Sequence, residues 1–224
     1  MSGGAVLREA CATNNTFKVS KVIEGANDQG GMRPKILNGV TIGMVHVPRQ
    51  TLRDVVNEPD AKTRNAPIHL CCIHDSSACL KLLLDTGVCD VTQLGNSAFS
   101  AAAICADLGR LECLRLLLES AEGRRIDLAE AQLVWSSALG GHASVLKLLL
   151  GSGSGAAVNR QNGDGNTALH LALMADHVEA ATILLAHGAD KTIYNNSMAL
   201  PIDVCISERA RDLCNLSQEE AVAE

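Results

Sequence analysis

With 224 residues, the chain is long enough to form one large domain or two small ones with a substantial core. Hydrophobic residues make up 47% of it but aromatic residues only 2%, so Leu, Ala, Val, Ile and Cys must fill that core. This composition favours close-packed helices over a β-sandwich, and a net charge of −6 argues against nucleic acid as the main partner.

The N-terminus predicts the compartment. Met1-Ser2-Gly3-Gly4 lacks the basic and apolar regions of a signal peptide, and no apolar run approaches the roughly 20 residues needed to cross a bilayer. We therefore expect a soluble protein of the cytoplasm, with the nucleus as a second compartment and no membrane association. The nine cysteines are then expected to stay reduced.

Residues 1–24 predict a degenerate copy of a helical repeat that becomes clearer further along the chain. Its apolar residues fall in the register of the later copies: Leu7, Ala10, Val19, Val22 and Ile23. We expect this segment to cap the N-terminal end of a repeat array.

Residues 25–61 do not fit the repeat and predict an insertion. Asn38-Gly39 separates Lys35-Ile36-Leu37 from an alternating run that begins at Val40, and Asn-Gly between apolar runs is typical of a β-hairpin. A short helix is expected to follow, around Leu52 to Val56.

Residues 62–216 contain five further copies of the repeat. When the first residue of each copy is numbered position 1, Pro67 and Pro201 both stand at position 2. The first helix begins there, so the missing N–H of proline costs nothing. Gly109 and Gly141 share position 10, where that helix must end. The copies begin at Ala66, Ser100, Gln132, Thr167 and Leu200, with spacings of 34, 32, 35 and 33 residues.

The clearest copy resembles the ankyrin repeat. It begins with Thr167-Ala168-Leu169-His170-Leu171-Ala172, continues with Ile183-Leu184-Leu185 and ends with His187-Gly188-Ala189-Asp190. The resemblance implies an all-α solenoid of helix-turn-helix repeats with β-turn or hairpin tips, interrupted by the hairpin insertion after the first repeat. Residues 217–224 are expected to form a frayed acidic tail.

The resemblance also implies roles for positions 4 and 17. The imidazoles of His69 and His170, at position 4, should tie the start of the first helix to a neighbouring loop. Ala103 and Trp135 occupy the same position in two other copies, so this network should be absent there. Position 17 is predicted to be the buried face of the second helix, with Leu82, Leu116, Leu148, Ile183 and Leu216.

The cysteines offer a rival interpretation. Cys71, Cys72 and Cys79 lie close in sequence to His69 and His74, so a zinc-binding or redox-sensing protein is the main alternative. Position 6 argues for packing instead, because Cys exchanges there with Ala and Ser: Ala10, Cys71, Cys105, Ser137, Ala172 and Cys205. We predict no cofactor and no metal, and expect Cys89, in a loop, to be the most exposed thiol.

The function predicted is a scaffold or adaptor that binds a protein partner of unknown identity, as a monomer and without enzymatic activity. Positions 8 and 9, which end the first helix and face the groove in ankyrin repeats, carry a large apolar side chain in four successive copies, and such a stripe marks a partner site when exposed. If the register is shifted by one residue, these side chains are core. Chain length leaves a weaker alternative, a proteasome-assembly chaperone of the ankyrin type. The predicted groove residues are Ile73, His74, Asp107, Leu108, Leu139 and Met174.

Overall fold

A computed structural model describes most of the chain. The described residues are 3–27, 32–37, 40–46, 52–121, 123, 126–127 and 131–215. The predicted tail at 217–224 and Leu216 lie outside them, as does the Asn38-Gly39 pair. The chain divides into two compact units, residues 1–98 and residues 99–224.

The first unit contains five helices and one pair of strands among its described residues. In chain order they are α1 (Gly3–Ala12), α2 (Thr16–Asn27), β1 (Met32–Leu37), β2 (Val40–His46), α3 (Leu52–Asn57), α4 (Pro67–Ile73) and α5 (Ser77–Leu84), followed by a 3-10 turn at Asn96–Ala98. Helix α1 packs against α4, and α2 packs against α5, so these two helix pairs are stacked as neighbouring repeats.

The second unit continues the helix pairs. They are α6 (Ala101–Leu108) with α7 (Leu111–Glu119), α8 (Ala131–Leu139) with α9 (Ala143–Gly151), and α10 (Ala168–Met174) with α11 (Val178–Ala186), and the last repeat has a 3-10 turn at Pro201–Val204 before α12 (Glu208–Asn215). The first helices α6, α8 and α10 pack side by side in that order, and so do the second helices α7, α9, α11 and α12. Helices this short are marginal alone, so packing between repeats stabilises them.

The turn between the two helices of a repeat requires a left-handed residue at position 10. Gly109 and Gly141 have φ values of 69° and 68° there, as their spacing predicts. Asp75 and Asp176 occupy the same position in other repeats with φ values of 53° and 59°, since aspartate tolerates this conformation better than most residues.

Burial on the second helices corrects one predicted register. In the four repeats that begin at Ala66, Ser100, Gln132 and Thr167, the side chain at position 17 is only half-buried, whereas the next residue is fully buried. The core residues at position 18 are Leu83, Leu117, Leu149 and Leu184. These four repeats carry leucine or isoleucine at both positions, so the sequence does not distinguish them, and the packing of the second helices against the first ones does.

The segment predicted as an insertion contains two paired strands and a helix among its described residues. Strands β1 and β2 pair antiparallel, from Leu37 opposite Val40 to Met32 opposite His46, with a register shift between Lys35 and Ile36. Helix α3 then packs against α1, α2 and α4, with Val55 and Val56 buried. The end of this segment is thus part of the packed first unit.

Asn57, the last residue of α3, connects that helix to the following repeat tip. Its Nδ2 donates to the carbonyl oxygen of Val88 at 2.8 Å, and its Oδ1 accepts from the amide of Asp90 at 2.7 Å. In the second unit, Asn159 makes the matching pair of bonds to Gly188 and Asp190, at 3.0 and 2.8 Å. An asparagine therefore fixes the next tip in both units.

Candidate protein-binding surface

The predicted groove residues all lie at the ends of first helices. In the first unit, half-buried Ile73 ends α4 and exposed His74 follows it. In the second unit, Leu108, Leu139 and Met174 are the last residues of α6, α8 and α10, and their side chains are 39%, 53% and 44% exposed. Asp107, next to Leu108, is also exposed.

Leu108, Leu139 and Met174 form what we call the apolar stripe. Because α6, α8 and α10 pack side by side, the stripe crosses three successive helix ends. Ala138 and Leu173, which directly precede Leu139 and Met174, are buried, and so is Ala106, two residues before Leu108. Each helix therefore buries residues before its last one and exposes the apolar side chain at its end. This burial does not agree with the alternative in which the stripe belongs to the core.

Histidines at position 11 lie beside the glycines that follow first helices. His142 Nε2 lies 2.8 Å from the carbonyl oxygen of Asp107, so it bridges the start of α9 to the end of α6. Its ring occupies the space beside Gly109, where a Cβ would come within 2.5 Å of Nδ1. The ring of His177 lies beside Gly141 in the same way. Only the Gly-His turn of the family pattern could have indicated these residues from sequence.

A second set of rings joins the start of each first helix to the following tip. His69 Nδ1 accepts from the amide of Ala66 at 3.1 Å, and its Nε2 donates to the carbonyl oxygen of Gln93 at 2.9 Å. His170 makes the equivalent bonds to Thr167 and Ala199, at 3.2 Å each.

Both imidazoles are neutral and have a structural role. Burial lowers the pKa of His69 and of His170 below the ordinary histidine value. With both ring nitrogens engaged, neither side chain is placed as a general base. The tying role that the ankyrin resemblance implies agrees with this geometry.

The Gln132 copy has no histidine at position 4, and a different ring bond reaches its next tip. Trp135 stands at position 4 there, and its indole Nε1–H donates to the carbonyl oxygen of Arg160 at 3.0 Å. An N–H on a ring of another kind thus reaches the same part of the next tip. In the Ser100 copy, Ala103 offers no ring, and the Ser100 hydroxyl instead caps α6 by accepting from the Ala103 amide at 3.2 Å.

The cysteines lie in the core. All nine are buried, including Cys89, which is 3% exposed, so the expectation of an exposed thiol there was wrong. Cys89 lies between Val88 and Asp90, the two residues that Asn57 holds against α3. The six residues at position 6 are all buried, which explains why only Ala, Ser and Cys occur there.

Thiol chemistry is disfavoured in this core. Burial, with a smaller contribution from Cys11, raises the pKa of Cys79 to about 11, and thiolate rather than thiol is the metal ligand. Within the described ranges, no three His, Cys, Asp or Glu side chains are grouped to hold a metal ion. Cys71, Cys72 and Cys79 therefore do not form a ligand set there.

The family follows from sequence comparison. A family model described as ankyrin repeats (3 copies) matches residues 44–130 and 132–216. The chain belongs to the ankyrin-repeat family. Members of this family are typically non-enzymatic modules for protein–protein interaction, and none of the described helices is long and apolar enough to span a bilayer.

A curated relative is the B-cell lymphoma 3 protein homolog of Mus musculus. It is 30% identical over 151 residues, which cover 65% of this chain and 33% of the relative. The chain thus spans about a third of that protein's length.

Solved structures share the ankyrin-repeat fold. The ankyrin repeat protein EF0377 has a TM-score of 0.68 at 23% identity, with 89% of each chain covered. The ankyrin repeat domain of Bcl-3, described as a unique member of the IkappaB protein family, gives 0.61 at 23% identity, covering 95% of this chain and 98% of that one. An ankyrin repeat domain from Acinetobacter baumannii AYE gives 0.66 at 18% identity, covering 97% and 94%.

Proposed function

We propose that the chain is a scaffold or adaptor that binds a partner protein across the ends of its first helices. The apolar stripe carries this proposal. Three large apolar side chains are exposed at position 8 or 9 of successive repeats, although the chain buries the position-18 leucines of its second helices. Exposed apolar surface that recurs in register is characteristic of an interaction site.

The stripe is also suitable as a rigid surface. Each of its residues ends a helix that packs against the next first helix, and His142 ties α6 to the following repeat. A preorganised surface loses little conformational entropy when a partner binds. Met174 adds an unbranched, adaptable side chain of the kind found at interfaces with several partners.

We further propose that the chain acts as a monomer in the cytoplasm and the nucleus. A net charge of −6 disfavours nucleic acid as the ligand. His74 in the first unit and Asp107 in the second are the polar residues among those predicted to bind a partner.

Affinity capture with matched variants tests the proposal. Tagged full-length protein is compared with Leu139→Glu, on the stripe, and with Ser144→Glu, which adds the same charge at an exposed position of α9. We expect both variants to keep the melting temperature, and only Leu139→Glu to lower partner recovery, by tenfold or more as for a central interface residue. Equal recovery with all three proteins would contradict the proposal.

A further inference from the structure

The surroundings of the apolar stripe are negatively charged. Two exposed carboxylates flank it, Asp107 beside Leu108 and Asp176 two residues after Met174. The Asp176 carboxylate is held in place by the Ser207 hydroxyl, which donates to it at 2.5 Å. A partner that covers the stripe must therefore accommodate a carboxylate at either end of it.

The backbone adds to this negative potential. The stripe lies at the C-terminal ends of α6, α8 and α10, where each helix macrodipole places about half a negative charge. Residues 99–224 contain nine Lys or Arg residues and sixteen Asp or Glu residues, a net charge of −7. Residues 1–98 have ten basic and nine acidic residues, a net charge of +1, so the negative charge belongs to the unit that carries the stripe.

Few positive side chains lie close to the stripe in sequence. Helices α6, α8 and α10 contain no Lys or Arg. Arg115 and Lys147 are on the second helices α7 and α9. Arg110, the basic residue closest to the stripe in sequence, lies two residues after Leu108 and is half-buried, with its Nε buried. The exposed charges next to the stripe are the carboxylates of Asp107 and Asp176. A positively charged partner surface is thus favoured at the stripe, and a negatively charged one is disfavoured.

We propose that the stripe binds a basic amphipathic helix of its partner. The apolar side chains of that helix pack on Leu108, Leu139 and Met174. Its Lys or Arg residues lie near Asp107 and Asp176. This inference rests on the proposed function and adds the chemistry of the partner. Neighbouring packed helices are about 8–10 Å apart, and a helix rises about 10 Å over seven residues. The partner helix therefore presents an apolar residue every seventh position, with basic residues toward both ends.

Three synthetic helical peptides of about 18 residues provide the probes. The first has Leu at every seventh position and Lys toward both ends. The second replaces each Lys by Glu, and the third replaces each Leu by Ser. Fluorescence anisotropy with the full-length chain measures their dissociation constants at low and at moderate salt. We expect only the first peptide to bind measurably, and its affinity to fall as salt increases.

Variants locate the binding. Asp107→Asn combined with Asp176→Asn should weaken the first peptide roughly threefold to tenfold and reduce its salt dependence. The control pair Glu119→Gln and Glu179→Gln makes the same charge change on the second helices and should have little effect. Leu139→Ser combined with Met174→Ser should abolish binding without changing charge.

Three outcomes would overturn the inference. The first is that the Glu peptide binds as well as the Lys peptide, and the second is that the paired aspartate substitutions behave like the control pair. The third is that no peptide binds. The proposed function would then still stand if Leu139→Glu releases the cellular partner in the capture experiment, so the two failures can be distinguished.

Discussion

Trp135 donates its indole Nε1–H to the carbonyl oxygen of Arg160, 3.0 Å away, at the repeat position where His69 and His170 stand in other repeats. The hydrogen bond joins α8 to the tip that leads to α10. The ring N–H of a tryptophan can therefore take the place of a histidine N–H in this contact.

Trp135→Phe tests this relationship, because it keeps an aromatic ring and removes the N–H. We expect the free energy of unfolding to fall by about 1 kcal/mol from the lost hydrogen bond. Trp135 is the single tryptophan of the chain, so urea unfolding should be followed by far-UV circular dichroism. Trp135→His again offers a ring N–H, so it should be more stable than Trp135→Phe. A Phe variant as stable as the native protein would show that the hydrogen bond contributes nothing to stability.

The sequence predicts the repeat and much of its local structure. Pro67 begins α4, Gly109 and Gly141 adopt the left-handed conformation, and the small residues at position 6 are buried. Each of these follows from a local rule on backbone geometry or side-chain size.

Contacts between repeats could not be derived in the same way. The bonds of Trp135 and of His142 depend on where the neighbouring repeat lies, and adjacent leucines at positions 17 and 18 look alike until the helices are packed. Cys89 is in a loop by sequence, but that loop is held against α3 by Asn57. The exposure of the stripe follows from packing, and its role in binding stays a prediction.

The stability of the fold should depend on pH through His69 and His170. Burial lowers the pKa of both, so the unfolded chain takes up protons below about pH 6.5 that the folded chain resists. Stability should be full above that pH, begin to fall as the pH drops below it, and level off below the folded-state pKa values.

Urea midpoints between pH 8 and about pH 5 measure this effect, since carboxylates with ordinary or lowered pKa values stay ionised over most of that range. His69→Gln or His170→Gln should flatten the dependence. His74→Gln, at an exposed position, serves as the control. A protein that gains stability on acidification over this range would contradict the assignment of neutral, buried imidazoles.

Asn57→Ala should destabilise the first unit. It removes the two side-chain bonds to Val88 and Asp90, and leaves their backbone groups without these partners. We expect a loss of about 1–3 kcal/mol in the free energy of unfolding, measured by urea titration. Asn159→Ala makes the matching change in the second unit and should have a loss of similar size. An unchanged Asn57→Ala variant would indicate that α3 is not held by these bonds.

The thiols should be unreactive in the folded protein. All nine are buried, and burial together with its neighbour Cys205 raises the pKa of Cys214 to about 12. We expect an aromatic disulfide reagent to label the native chain slowly and all nine thiols rapidly in denaturant. Leu94→Cys, at an exposed position, should label at once and provides the positive control. Rapid native labelling, or one equivalent of zinc lost together with the fold on chelation, would favour the zinc or redox alternative.

Footprinting of the captured complex tests the central claim most directly. A carbene reagent labels exposed side chains, and mass spectrometry compares the chain alone with the chain bound to its partner. We predict that binding reduces labelling at Leu108, Leu139 and Met174, the exposed ends of α6, α8 and α10, and leaves Lys147 and Thr182 on the second helices unchanged. Protection confined to the second helices or to β1 and β2, with the stripe still labelled, would contradict the claim.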